Sequence, residues 1–292
     1  MDTTSVRIVQ LSDLHEGARR DGEGADATAG TALPALLEQA VALAPDLLVL
    51  SGDLIDRTAG TDYSALRDEL VPFRERTGIP VMPVMGNHDD LPGFLQGLDA
   101  LMDGAQRRAP GSADHARTVG GLQVVGLDTA VPGEAFGILD ADQLRWLREV
   151  ASRPAPLGTC VVLHHPPITS PMPQLRYSAL AAPEHLADAL ADLDVPIILC
   201  GHYHHTSSAV WAGHLVWSAP AIAYAQDVGV PSPTIRGWAD PHLSLIDIDR
   251  TGAVCTTVPV PDPDTRPVLD YPLDLEEKQR RWQQRGLLTA DL

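Results

Sequence analysis

Five short segments place reactive side chains where apolar runs stop: "SDLH" (12–15), "SGD" (51–53), "GNHD" (86–89), "LHHPP" (163–167) and "CGHYHH" (200–205). Together they hold Asp13, His15, Asp53, Asn87, His88, Asp89, His164, His165, His202 and His204. Carboxylates and imidazoles without a thiolate suit divalent Zn, Fe or Mn better than Ca or Mg. In an extended segment side-chain direction repeats every two residues, so the D-x-H and H-x-H spacings are expected to turn both members of each pair the same way, toward one ion or a pair of ions. Singly, a "GD" after a strand is a turn or a helix cap, and a lone histidine is a satisfied polar side chain. Five such segments, each closing an apolar run, point instead to one site.

The elements that must carry them follow from periodicity. Apolar runs over 6–13, 45–53 and 79–85 read as buried strands, separated by amphipathic helices over 33–44 and 62–78, the latter closed by Gly78. A Gly- and Asp-rich loop lies between residue 13 and about residue 30. In the second half, strands are expected over 122–128, 158–165 and 195–202, with helices over 139–152, capped by Asp140, and around 183–193. The alternation of strand and helix is that of a sheet covered by helices. After residue 205 come short alternating runs that read as antiparallel hairpins. A Pro/Asp-rich connector at 260–267 then leads to a polar helix near 274–285. The expected organisation is one domain over 1–260 and a C-terminal extension over 261–292.

Composition narrows the partners. The chain has 292 residues, 44% of them hydrophobic, enough for a substantial core, and its formal charge is −18 from 39 acidic against 21 basic residues. Nucleic acids and anionic membranes require a basic footprint, so neither is an expected partner. No apolar run approaches the roughly 20 residues of a membrane span, and no signal-peptide pattern opens the chain. Cys160, Cys200 and Cys255 each sit in an apolar run, which reads as free thiols in a reducing compartment. The expected location is cytoplasmic.

The five segments, in this order, resemble the calcineurin-like metallophosphoesterases, whose pattern is D-x-H, G-D, G-N-H-[DE], a separate His, and G-H-x-H. Within that family "VMGNHDD", "LDT", "HHPPI" and "GHYHH" are similar to bacterial class III cyclic-nucleotide phosphodiesterases. The resemblance implies an α/β fold, a four-layer α/β/β/α sandwich with mixed sheets, holding two divalent metal ions (Fe, Mn or Zn) per chain. Carried over by position, Asp13, His15, Asp53 and His204 bind one ion, and Asp53, Asn87, His164 and His202 the other, with Asp53 as the bridge. His88 is the non-ligand catalytic group facing the substrate, Asp89 orients its ring, and His165 is structural. Gly86 lets the backbone come close enough to place Asn87 and His88 together.

The activity so implied is hydrolysis of a small-molecule phosphodiester, a 3′,5′-cyclic nucleotide such as cAMP, by attack of a metal-bridging hydroxide, in an enzyme that is a homodimer. A broader phosphodiesterase acting on glycerophosphodiesters or 2′,3′-cyclic nucleotides shares the same metal site. One departure bears on the substrate: many relatives carry a His-Gly pair where this chain has Phe136-Gly137. A scaffold protein of the same fold would have lost ligands or the "GNH" histidine, and here every position is filled.

Overall fold

The structure is a computed structural model and describes residues 5–17, 33–56, 62–261 and 274–285. All but the first few residues of the expected glycine-rich loop and all but the start of the 260–267 connector lie outside the described residues. The chain forms two compact units, Met1–Val260 and Pro261–Leu292.

In the first unit β1 (Ser5–Leu11), β2 (Leu47–Ser51) and β3 (Val81–Val84) run parallel, with α1 (Leu33–Ala42) and α2 (Ser64–Thr77) between them. Gly78 closes α2 in the left-handed conformation, its N–H donating to the Arg74 carbonyl. After β3 comes α3 (Leu91–Leu98), capped by Asp90, whose side chain accepts from the Gly93 N–H. Then β4 (Gln106–Arg107), β5 (His115–Val119) and β6 (Leu122–Leu127) form an antiparallel run. A capping box of Asp140 and Gln143 starts α4 (Ala141–Ala151). The parallel strands β7 (Thr159–Leu163) and β8 (Ile197–Cys200) flank α5 (Pro183–Leu190). A hairpin, β9 (Ser207–Trp211) and β10 (His214–Ser218), joins the same sheet through parallel pairing of β10 with β8. A two-stranded ribbon, β11 (Ala225–Gln226) and β12 (Gly237–Trp238), precedes β13 (His242–Asp249) and β14 (Gly252–Pro259). That last hairpin returns to the first sheet, where β13 lies antiparallel to β1.

Two mixed sheets result, ordered β14-β13-β1-β2-β3 and β4-β5-β6-β7-β8-β10-β9. The alternation of side chains divides each strand between layers. Leu47 and Val49 of β2 face Cys160 and Val162 of β7 between the sheets. Leu48 and Leu50 turn outward onto the layer of α1, α2 and α3. Val161 and Leu163 of β7 turn outward onto α4 and α5. The expected α/β/β/α sandwich is therefore present. Burial on both faces explains why the parallel strands read as unbroken apolar runs.

A polar residue of β1 interrupts the inner layer. The buried Gln10 of β1 donates to Ser51 Oγ at 2.8 Å and to the Cys200 carbonyl at 3.0 Å. It ties the ends of β1, β2 and β8 together beneath the point where the candidate residues converge. In the second unit α6 (Leu275–Gln284) is capped by Asp274 and, among the described residues, buries none of its side chains.

Candidate metal centre

Every segment singled out in the sequence follows the C-terminal end of a parallel strand: Asp13 after β1, Asp53 after β2, Asn87 after β3, His164 after β7, and His202 and His204 after β8. Both sheets thus deliver side chains to one rim, the place where ligands gather in parallel α/β sheets.

Asp13, His15, Asp53 and His204 bring one ligand atom each within 4.8 Å of one another. His15 Nε2 lies 3.2 Å from His204 Nε2, and His204 Nε2 lies 3.3 Å from Asp13 Oδ1. Asp53 Oδ2 is 3.6 Å from His15 Nε2 on one side and 3.3 Å from His164 Nε2 on the other. His202 Nδ1 approaches His164 Nε2 at 3.2 Å. A single carboxylate oxygen thus stands between two groups of imidazoles.

The outer nitrogens decide the tautomers. His164 Nδ1 donates to the Ser51 carbonyl at 2.8 Å, His204 Nδ1 to the Tyr224 carbonyl at 3.2 Å, and His15 Nδ1 to Asp56 Oδ2 at 3.3 Å. With those protons committed, the Nε2 atoms of His15 and His204 point lone pairs at each other. That arrangement is satisfied by a proton on one of the two rings or by a metal ion between them, and such outer partners are the usual orienters of metal-binding histidines. His202 Nε2 and His165 Nε2 are buried with no hydrogen-bond partner among the described residues. The donor set fits divalent ions of the Zn, Fe and Mn group.

The electrostatics agree. Burial opposes ionisation of Asp13, yet His204 and then His164 hold its carboxyl below the usual range. Asp53 is likewise held well below that range, against its burial, by His164, His15 and His88. His164 is pushed up to about 9, against its own burial, by Asp53 and Asp13. Two buried carboxylates create a demand for positive charge that a proton or a metal ion can meet. Burial, then His164, lowers His202 to about 3, so it is neutral and its lone pair is available for an ion.

The backbone brings these groups together differently from the extended geometry expected of D-x-H and H-x-H. Asp13 (φ 54°), His15 (φ 46°), Asp53 (φ 50°), His202 (φ 75°) and His204 (φ 52°) are all left-handed. The pairs converge because the chain turns, at about 1–3 kcal/mol of strain per residue. Left-handed non-glycine residues of this kind cluster at functional sites, and Asp and His tolerate the region better than most.

Two glycines make room. A Cβ at Gly86 would lie 2.3 Å from Asp53 Oδ1, and one at Gly52 would lie 2.3 Å from His164 Nδ1. The close approach expected of Gly86 is therefore an approach to Asp53, which also accepts the His88 N–H at 2.8 Å.

Asp89 stands elsewhere than expected. Its carboxylate accepts from the N–H groups of Gly86 (2.8 Å) and Leu54 (3.2 Å) and from Tyr63 Oη (2.9 Å), locking the turn after β3 onto the segment after β2. Burial, then Asp53, pushes it up to about 6, and the amides and Tyr63 pull against that rise. The carboxylate beside the His88 ring is Asp56, with Oδ2 3.7 Å from His88 Nδ1 and 3.3 Å from His15 Nδ1. Asp56 lies three residues beyond "SGD", where no spacing signal marks it. His165, expected to be structural, has its ring centroid 4.7 Å from that of His202 and is grouped with His164 and His202, while Thr129 Oγ1 meets its Nδ1 at 2.7 Å. His205 is taken up by Ser170 and Ser207 and stacks on Tyr203.

Comparison with known proteins adds the lineage. The family model described as calcineurin-like phosphoesterase matches residues 6–206. The chain belongs to this family. It is 38% identical over 234 residues, 79% of this chain and 71% of the other, to a cAMP/cGMP dual specificity phosphodiesterase of Mycobacterium tuberculosis. It is 33% identical over 96% of this chain and 91% of the other to a probable cyclic nucleotide phosphodiesterase of Rhodococcus erythropolis. Among solved structures, a dimetal phosphatase from Danio rerio superposes with a TM-score of 0.60 at 15% identity, over 86% of this chain and 98% of that one. At that identity the likeness speaks for the fold alone.

Proposed function

We propose that the chain is a phosphodiesterase that hydrolyses 3′,5′-cyclic nucleotides, with cAMP the leading substrate, at a centre of two divalent ions drawn from Mn, Fe and Zn. Asp13, His15, Asp53 and His204 would hold one ion, and Asp53, Asn87, His164 and His202 the other, with Asp53 common to both sets. Such a pair supplies charge to neutralise the phosphoryl oxygens and lowers the pKa of water toward neutrality. The remaining work falls to the chain. His88, half-buried beside the cluster, has Asp56 on its Nδ1 side, which supports Nε2 as the donor of a proton to the departing sugar oxygen. Asp56 also holds His15, so one carboxylate sets a ligand and the proton donor together. Asp89 acts through the backbone, keeping Asn87 and His88 at the rim.

The observation that carries the substrate class is the similarity to the mycobacterial cAMP/cGMP enzyme across most of both chains. No helix among the described residues is long and apolar enough to cross a membrane. A cytoplasmic location and a homodimeric state belong to this proposal as well. The test is a substrate panel on metal-reconstituted protein: cAMP, cGMP, 2′,3′-cyclic AMP, glycerophosphocholine and 4-nitrophenyl phosphate. The 3′,5′-cyclic nucleotides are expected to give the highest kcat/KM. Preference for glycerophosphodiesters or 2′,3′-cyclic nucleotides would give the site to the broader class, and preference for the monoester would overturn the diesterase reading.

A further inference from the structure

A cleft of about 640 Å³ opens beside Asn87 and His88, and its other wall is the loop after β6, with Asp128, Val131 and Pro132. Its size is that of a small-molecule site. Resting on the cyclic-nucleotide reading above, we propose that this cleft receives the nucleoside half of the substrate and that Asp128 selects the base, its Oδ2 accepting from N–H groups on the Watson–Crick edge.

Asp128 is built to do this. Its Oδ1 accepts the Ala130 N–H at 2.9 Å, its own N–H donates to Asp114 Oδ1 at 2.7 Å, and its carbonyl accepts Gln143 Nε2 at 2.6 Å. Its Oδ2 has no hydrogen bond among the described residues. The side chain is thus fixed through one oxygen while the other is uncommitted, the arrangement of a recognition group held by its supports. The wall is also joined to the reaction centre, because the next residue, Thr129, bonds His165 beside His202. Burial pushes the Asp128 carboxyl up to about 6, opposed by the Ala130 amide and raised further by Asp114. Asp128 is half-buried, so a donor from the ligand can reach the carboxylate oxygen that its hydrogen bonds to the protein leave uncommitted. The apolar Val131 and Pro132 offer a surface for a planar base.

The chemistry discriminates between purines. Guanine presents two adjacent donors, N1–H and N2–H₂, to an acceptor. Adenine presents one donor, N6–H₂, beside the acceptor N1. Asp128→Asn keeps Oδ1 on the Ala130 N–H and replaces the outward acceptor with an amide donor. The variant is compared with wild type on cAMP, cGMP and methyl 4-nitrophenyl phosphate, a diester with no base, and its melting temperature is measured alongside. The expected result is a rise in KM of tenfold or more for cGMP, less than threefold for cAMP, and unchanged kinetics for the base-free diester, at an unchanged melting temperature. Val131→Trp, which narrows the cleft from the same loop, is expected to raise KM for both nucleotides with kcat nearly unchanged. If both nucleotides are substrates and Asp128→Asn moves all three compounds alike, or none, the base assignment is wrong and the phosphodiesterase reading stands. If wild type cleaves the base-free diester and neither nucleotide, the substrate reading itself fails, and this assignment with it.

Discussion

His88 and Asp89 are neighbours with separate tasks. The ring of His88 packs edge-on against His15, with centroids 4.6 Å apart, and faces Asp56, whereas Asp89 turns its carboxylate to backbone amides. His88→Ala is expected to leave metal content intact and to lower kcat by about 10²–10⁴, the worth of a general acid. The loss should shrink for diesters with nitrophenyl leaving groups, which need little protonation. Asp56→Asn should reproduce a part of that kcat loss and weaken metal binding through His15. Asp89→Asn should act on stability, since it puts an amide donor against amide donors at Gly86 and Leu54. Steady-state kinetics, metal analysis and urea unfolding of the three variants separate these outcomes; metal loss in His88→Ala would make His88 a ligand. The candidate ligands were legible in the sequence because each closes an apolar run. The carboxylate beside His88 is not legible there, because a contact between two loops leaves no periodicity in the sequence.

The elements were legible in proportion to their burial. β2, β7 and β8 read as apolar runs because both faces are covered, and α4 because Asp140 and Gln143 cap it. α3 did not read as a helix: "LPGFLQGL" is eight residues with two glycines, and tertiary packing of Phe94 and Leu98 outweighs its weak propensity. β5 carries no strand signal because His115 and Arg117 interrupt its apolar pattern, and the alternation of β13 shows a local hairpin but not its pairing with β1 across the chain. The left-handed ligand residues were invisible too, since an Asp or His at positive φ has no mark of its own. That strain makes a prediction at this scale. Gly52 (φ +95°) faces His164, while Gly78 (φ +72°) has nothing within 4 Å of where a Cβ would stand. Gly78→Ala should therefore cost only the left-handed penalty, about 1–2 kcal/mol. Gly52→Ala should cost more in urea unfolding and should also weaken metal binding, because it displaces the ring. Equal stability losses with metal affinity unchanged in both would contradict the account.

Across the whole molecule, the two sheets are held together by an apolar layer and meet functionally at their common rim. The buried His115 links that packing to pH. Burial, opposed by its bond to the Ala113 carbonyl, lowers it to about 4 from an ordinary 6.5. Between those values the unfolded chain binds a proton that the folded chain does not, so this group's contribution is lost as pH falls from 6.5 to 4, on the order of 3 kcal/mol at most. Asp128, raised to about 6 from 3.8, acts in the opposite sense within its own window. The test is therefore the difference between proteins. His115→Asn should lose less stability than wild type between pH 7 and pH 5 in urea unfolding, and parallel losses would exclude His115 as the source. The central claim is that β1, β2 and β3 of one sheet and β7 and β8 of the other build a single two-ion centre around Asp53. Calorimetric titration of Mn²⁺ into metal-free protein tests it most directly. Wild type should take up two ions per chain, and Asp53→Asn should weaken both sites by about tenfold or more, since its carboxylate serves each ion. An Asp53→Asn protein that binds two ions with wild-type affinity, or loses only one of them, would contradict the account.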